Sequence, residues 1–375
     1  MKKVILSVTN DLVTDQRLEK VCGFLVKNGF DVTLVGRRYR NSPELSPRNY
    51  HTKRLHLFFK KGFAFYAEYN LRLFFYLLFK KCDILVANDL DTLLPNFLVS
   101  RIRRKKIVYD SHEYFCGLPE LEGRGFVKSF WKKIERFCFP KLPTVTTVSH
   151  SIANIYDQEY PNRSDAVQVV HNYPVAQPPA LTETRQTLNL PSDKKIIIMQ
   201  GAINKDRGAE ELILAMKEIE DALLLIIGNG DVVPVLKQIV NKDNLQTKVR
   251  FVPRVGPEKL YQYTALSDLG CSLEKDTNVN YRFALPNKLF DYIRARIPVL
   301  VSALPEMRKV IDESGVGVAI ESHEPHDIAE AINAMFSDKG RYAEYKHNTV
   351  AAAARYCWEN EEKILRRVYD LEQSF

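Results

Sequence analysis

The chain has 375 residues, 45% of them apolar and 27% charged, with a formal net charge of +8; this excludes a disordered or fibrous protein and exceeds what one hydrophobic core serves, so two domains are expected. The charge is uneven, with 28 Lys and Arg against 17 Asp and Glu in residues 1–175 and 26 against 29 in the remainder, so the first half suits an anionic partner. The six cysteines show no CxxC pair and no spacing that joins them to histidines, which predicts no metal and suits free thiols in a reducing, cytoplasmic compartment.

Met1–Asn10 combines two lysines with a short apolar run but has no small-residue cleavage site, so no secretion signal is read there. A strand over Val4–Val8, a helix over Asp15–Asn28 and a strand over Asp31–Gly36 make a βαβ opening. Leu71–Phe79 is the most apolar later stretch, but Arg72 breaks it and it falls far short of the roughly 18 residues a membrane span needs. Runs at Asp83–Ala87, Lys106–Tyr109, Thr144–Val148 and Ala166–His171 extend a parallel sheet. The proline-bearing stretch Tyr173–Leu190 reads as a crossing, after which Ile196–Gln200, Leu223–Ile227, Val249–Val252, Leu269–Leu273 and Val299–Ser302 begin a second series. The pattern predicts an α/β protein with domains over 1–175 and 176–355, and a helix within 356–375 that packs back on the first. Two doubly wound sheets in tandem would face each other across a cleft, with ligands at the strand carboxyl ends.

The segment richest in chemistry is Glu274–Val301, a polar loop running into Pro286, a helix with apolar Leu289, Phe290 and Ile293, and a buried strand. A helix starting at Pro286 aims unpaired N–H groups and its positive dipole end at the cleft, and Asn287 and Lys288 add donors, which together make a diphosphate site. Asp291, one turn on, is placed to accept hydrogen bonds from vicinal ribose hydroxyls. The structural alternative is that Asn287 caps the helix, Lys288 is solvated and Asp291 complements the dipole.

Leu285-Pro-Asn-Lys-Leu-Phe-Asp-Tyr292, followed by Ile297-Pro-Val-Leu-Val301, resembles the donor-site helix of GT-B-fold retaining glycosyltransferases of the family 4, or group 1, class, of the kind that builds bacterial polysaccharide and glycolipid. The stretch from Gln200 through Gly201 to Gly208, leading into Glu211, is similar to that family's glycine turn, with Arg207 as the phosphate cation and Lys205 a second candidate. Leu225-Ile-Ile-Gly228 resembles a strand ending where backbone approaches a ligand, and Val252, Pro253 and Arg254 fall where relatives read the nucleobase edge. His112, ending Val108-Tyr-Asp-Ser-His, matches the histidine that contacts the donor sugar, with Glu113 beside it orienting loops or an acceptor. Asn10, Asp15 and Arg17 occupy the first strand-to-helix turn and are candidates for acceptor or interdomain contacts, although the glycine that relatives carry there is absent.

The resemblance implies two Rossmann-like domains and an EC 2.4 hexosyltransferase that moves a sugar from a UDP- or GDP-sugar to a saccharide or lipid-linked acceptor with retention, needing no cofactor or metal. Front-face transfer, with the departing phosphate helping to take the acceptor proton, is the mechanism it implies, with Arg207, Lys288 and His112 as the catalytic set. The sequence departs from the family in two ways. Of two glutamates eight positions apart, the second is Asp291 and the first is Phe283, which passes sugar recognition to neighbours such as Glu274, Asn280 or Tyr281. Ala202 stands where an arginine is usual. Two alternatives remain open: a non-catalytic nucleotide-sugar-binding subunit, and a GT-B nucleotide-sugar epimerase. Seven Lys or Arg and ten Phe or Tyr between Lys53 and Lys81, against the single acid Glu68, suit peripheral contact with an anionic membrane surface or a core helix under a basic rim. No nucleic-acid module accompanies that patch.

Overall fold

The computed structural model describes residues 1–13 and 15–371, which form two units, Met1–His171 with the stretch from Glu362 onward, and Asn172–Glu361. In the first unit β1 (Lys3–Ser7) alternates with α1 (Gln16–Lys27), β2 (Asp31–Arg38), β3 (His51–His56), α2 (Gly62–Phe79), β4 (Ile84–Asn88), α3 (Leu90–Arg103), β5 (Lys106–Ser111), α4 (Gly125–Cys138), β6 (Thr144–Thr147), α5 (His150–Glu159) and β7 (Gln168–Val169). All strand pairings are parallel, in the order β3-β2-β1-β4-β5-β6-β7. Asp15 fixes the start of α1 by accepting a hydrogen bond from the Leu18 amide. The apolar strands β1, β4 and β5 are buried on both faces, as a parallel sheet sandwiched by helices requires.

The second unit runs β8 (Lys195–Ala202), α6 (Ala209–Ala215), β9 (Ala222–Asn229), α7 (Val233–Lys242), β10 (Val249–Val252), α8 (Pro257–Ala265), β11 (Leu269–Ser272), α9 (Val279–Arg282), α10 (Asn287–Arg294), β12 (Val299–Ser302), α11 (Pro305–Ser314), β13 (Gly317–Ile320), α12 (Pro325–Ser337) and α13 (Lys339–Arg355). Its parallel sheet has the order β10-β9-β8-β11-β12-β13. A last helix, α14 (Trp358–Val368), passes from the second unit into the first, where Tyr369 packs edge-on against Phe30 and Lys106 Nζ donates to the Val368 carbonyl at 2.9 Å.

Two strands fall outside the sequence expectation. β3 is an exposed edge strand of sequence HTKRLH, too basic for an apolar pattern, and β13 is only four residues. The run expected over Ala166–His171 forms only the two-residue β7. The loop before α10 contains the unexpected single-turn α9, begun by the Asn278 side chain accepting from the Tyr281 amide. Leu71–Phe79 is the second half of α2, which buries Phe65, Tyr69, Leu73 and Leu77 at four-residue spacing and leaves Phe63, Leu71, Phe75 and Phe79 exposed. No helix among the described residues is long and apolar enough to cross a membrane.

Candidate functional site

In an open parallel sheet, a crevice opens at the strand carboxyl ends where the winding reverses. The first sheet reverses between β1 and β4, the second between β8 and β11, and both points carry polar clusters.

In the second unit, the penultimate residue of β8 is Gly201, which has φ of 108° and open space where a side chain would stand. The preceding Gln200 is buried and ties the neighbouring elements together. Its Nε2 donates to Asp291 Oδ2 (3.2 Å) and its Oε1 accepts from the Thr264 hydroxyl (2.7 Å). The Gln200 amide donates to the Tyr292 hydroxyl, which donates to the Cys271 carbonyl, both at 3.2 Å. Asp291 on α10 is thus held against the end of β8, with Arg294 3.4 Å from its other oxygen. Pro286 precedes the first turn of α10 rather than occupying it, and Asn287 is exposed at the helix start.

Beneath this turn lies a buried ion cluster. Glu274, expected as an open sugar contact, is instead fully buried, with Lys288 Nζ at 2.8 Å, Arg207 Nη1 at 3.7 Å and the Ser272 hydroxyl donating at 2.8 Å. Burial works against the Glu274 charge, but Lys288, then Arg207, outweigh it and hold the carboxyl below its ordinary value. Lys288 is therefore not a solvated lysine: it is 7% exposed and committed to Glu274. Arg207 remains partly open and lies over the ring of Tyr281, whose hydroxyl reaches the Lys205 carbonyl at 3.5 Å. The segments 201–208 and 274–283 are stitched together further by the Lys275 amide donating to the Asp206 carbonyl at 2.9 Å. Asn280 lies half-buried on α9.

Gly228, expected where backbone approaches a ligand, lies near the end of β9. Its glycine is imposed by strand packing, because a Cβ there would meet the Gly201 carbonyl oxygen at 1.9 Å, with φ of 148°. Beyond it, the Arg254 amide donates to Asn229 Oδ1 at 3.5 Å, joining the ends of β9 and β10, while Pro253 and Arg254 are exposed and Val252 is half-buried.

In the first unit, a cavity of about 670 Å³ opens at the β1–β4 switch point, a size suited to a small ligand. Asn10, Asp15, His112 and Glu113, all anticipated from sequence, line it together with Asp89 and Asp91, which were not. Arg17 is also corrected: it is buried, its guanidinium donating to both Asp110 oxygens (3.0 and 2.7 Å) and to the Val170 carbonyl (2.7 Å), so it braces the sheet rather than meeting a ligand. His112 Nε2 sits 3.2 Å from Asp110 Oδ2 and Nδ1 3.6 Å from Asp89 Oδ2, and its amide donates to Asp89 Oδ1 at 2.8 Å. Burial opposes the imidazolium, yet Asp89 and Asp110 outweigh it and lift its pKa to about 9, so at neutral pH the ring is charged and both nitrogens face carboxylates. Asp110 is correspondingly held well below the carboxylate range, Arg17 and then His112 overcoming its burial.

Two of the cavity acids, Glu113 and Asp91, go the other way. Burial, reinforced by the Asp89 charge, pushes Glu113 up to about 8 and Asp91 to about 7. Asp89, directly before α3 and making no side-chain cap hydrogen bond to it, has a positive φ of 60°, a strained conformation of the sort found at ligand sites. The signal for Asp89 and Asp91 was present in Asn88-Asp-Leu-Asp91, acids directly after a buried strand.

Residues 181–354 match the family model for glycosyl transferases group 1, and residues 16–173 the model for glycosyltransferase family 4. A D-inositol 3-phosphate glycosyltransferase of Xylanimonas cellulosilytica is 23% identical over 202 residues, 51% of this chain and 45% of that protein. The chain thus spans about half the length of the curated relatives it matches. Among solved structures, a sucrose-phosphate synthase from Thermosynechococcus elongatus superposes with a TM-score of 0.80 at 16% identity, covering 99% of each chain. HepE from Anabaena in complex with UDP-glucose gives 0.77 at 14% identity, covering 99% of this chain and 100% of that one.

Proposed function

The chain belongs to the group 1, family 4 glycosyltransferases, and from that premise we propose that it moves a hexosyl group from a UDP- or GDP-sugar, bound by the second unit, to a saccharide or lipid-linked acceptor bound by the first. The observation that carries this reading is the convergence, at the β8–β11 switch point, of the Gly201 strand end, the open start of α10 and Arg207, with Asp291 held alongside. Helix-start amides and a cation oppose the charge that grows on a departing diphosphate. Asp291 would accept from ribose hydroxyls, and the backbone of Val252, Pro253 and Arg254 would border the base. Retention of configuration, with the departing phosphate taking the acceptor proton, belongs to the same proposal.

We place the acceptor at a membrane, in synthesis of a cell-surface polysaccharide or glycolipid on the cytoplasmic side. The support is an exposed aromatic set on and before α2, with Phe58 82%, Phe63 70% and Phe79 79% exposed, beside exposed Lys60, Lys61, Lys80 and Lys81. Phe283 in place of a carboxylate favours a second reading, a nucleotide-sugar-binding subunit without catalysis.

The test is thermal unfolding with UDP, GDP, ADP and CMP in turn. UDP or GDP should raise the midpoint by several degrees, since a ligand selective for the folded state stabilises it, and Asp291→Ala should remove most of that rise. No shift with any nucleotide would refute the proposed donor site.

A further inference from the structure

A second cavity, of about 450 Å³, opens in the first unit at the amino ends of β5 and β6. The switch-point cavity lies past the other end of β5, where His112 follows the strand, so the six-residue β5, about 17 Å long, separates the two. The floor of the second cavity is apolar, with Ile107 and Leu142 buried. Its rim carries Arg101, Arg104, Lys105 and Lys141, and no carboxylate is among the residues that line it. A further cation stands behind Leu142. The Arg163 guanidinium donates to the Leu142 carbonyl at 3.4 Å, while its Nε and Nη1 are buried with no hydrogen-bond partner among the described residues. Burial holds the Arg163 pKa below its ordinary value although Asp157 and Asp165 face it.

Cations near a helix C-terminus ordinarily complement its dipole, and α3 ends here. That accounts for Arg101, whose Nη2 also donates to the Lys141 carbonyl at 2.8 Å. Lys105 lies 3.4 Å from Asp83, and Lys141 lies over the Phe137 ring at 4.1 Å. Asp83, and Asp165 accepting from the Ser164 hydroxyl at 3.1 Å, stand at the edge. Together with about half a charge at the helix end they leave the cavity positive. Arg104 is the cation that the fold does not use. It is exposed, and its side chain makes no hydrogen bond, ion pair or ring contact among the described residues. It also ends α3 in the left-handed conformation, with φ of 52° and ψ of 49°, its amide donating to the Ser100 carbonyl. Such a position favours glycine, because a Cβ is strained there. An arginine in a glycine's place, with its side chain unspent on packing, is free for a ligand.

We propose that this cavity is a binding site for a phosphate group, gripped by Arg104 with Arg101 and Lys141 over the apolar floor and distinct from the switch-point cavity. A phosphate monoester carries about two negative charges at neutral pH and several acceptor oxygens, which guanidinium forks match. A carboxylate brings one charge and answers fewer of these donors. The phosphate is that of a soluble ester or of a lipid headgroup, the two sources sharing this chemistry. The proposal rests on residues that the transferase reading does not use, and it stands or falls separately.

Glycerol 3-phosphate, common to both sources, is titrated calorimetrically into the full chain. It should bind saturably, and Arg104→Gly should weaken it at least five-fold with the unfolding midpoint retained or raised, since glycine relieves the left-handed backbone. Arg40→Ser, which removes an exposed charge elsewhere on the first unit, should change the affinity less than two-fold. Lactate, a carboxylate of similar size, should bind at least ten-fold more weakly than glycerol 3-phosphate. Flotation with vesicles of equal parts phosphatidylcholine and phosphatidic acid separates the sources: recovery lost in Arg104→Gly assigns the site to a lipid headgroup, and recovery retained assigns it to a soluble ester. No binding of glycerol 3-phosphate, undiminished affinity in Arg104→Gly, an equal loss in Arg40→Ser, equally tight lactate, or a midpoint lowered by Arg104→Gly would overturn the proposal.

Discussion

Lys288, 7% exposed, is the counter-ion of buried Glu274 at 2.8 Å. Removing one partner of a buried pair typically costs about 3–5 kcal/mol, while replacing both with uncharged groups costs far less. Lys288→Met should therefore lower stability toward the bottom of that range, because Arg207 at 3.7 Å still faces Glu274, and Glu274→Gln with Lys288→Met should recover at least half the loss in urea denaturation. Equal losses in the single and double variants would show that the pair is not coupled. At His112 the signs of proton linkage give a second expectation. A group that binds its proton more tightly in the folded chain stabilises the fold below its unfolded pKa, and that contribution disappears as pH rises through the folded value. For His112 the window runs from 6.5 to about 9, and Glu113, rising from 4.5 to about 8, acts in the same direction. Stability should fall between pH 6.5 and 9, with His112 responsible for a loss on the order of 3 kcal/mol. In His112→Asn the decline over that interval should be markedly shallower; an unchanged slope would mean that the imidazolium is not held by Asp89 and Asp110.

Elements were far more legible in the sequence than side-chain roles. The strands that line both switch points, β1, β4, β8 and β11, are short apolar runs bounded by polar residues, and such runs announce themselves wherever both faces are buried. β3 did not, since an edge strand half open to water can be as basic as HTKRLH. Motif position singled out Asp291, Arg207, His112 and Glu113 as candidates, but pairing is a three-dimensional fact: nothing in the spacing joins Arg17 to Asp110 or Lys288 to Glu274. The glycines illustrate the same limit, because Gly201 and Gly228 look alike in sequence, yet one borders open space and the other is pressed against its neighbour strand. Gly228→Ala should accordingly destabilise the second unit by about 3 kcal/mol or more, through overlap with the Gly201 carbonyl. Gly201→Ala meets no atom within 4 Å and should cost less, from its positive φ alone. Chemical denaturation of the two variants side by side checks the order, and the reverse order would contradict the packing account.

For the whole molecule, the basic excess of the first half and the exposed aromatics of α2 are read together as a membrane-facing surface. Flotation with vesicles containing 30–40% anionic lipid, on the order used to mimic a charged leaflet, should recover the protein at low salt and release most of it at about 0.5 M, where screening lengths fall to a few ångströms. Phe63→Ser with Phe79→Ser should weaken that recovery several-fold without lowering the unfolding midpoint; retention on uncharged vesicles at high salt would contradict the electrostatic part of the reading. Above this stands the central claim that the chain transfers a sugar, which a direct measurement of nucleoside diphosphate release decides. The full chain is incubated with UDP- and GDP-hexoses, alone and with a panel of oligosaccharide and glycolipid acceptors. The account predicts slow release from one donor, accelerated at least ten-fold by an acceptor and abolished by Arg207→Ala; a chain that binds UDP or GDP yet releases neither from any sugar nucleotide under any of these conditions would contradict it.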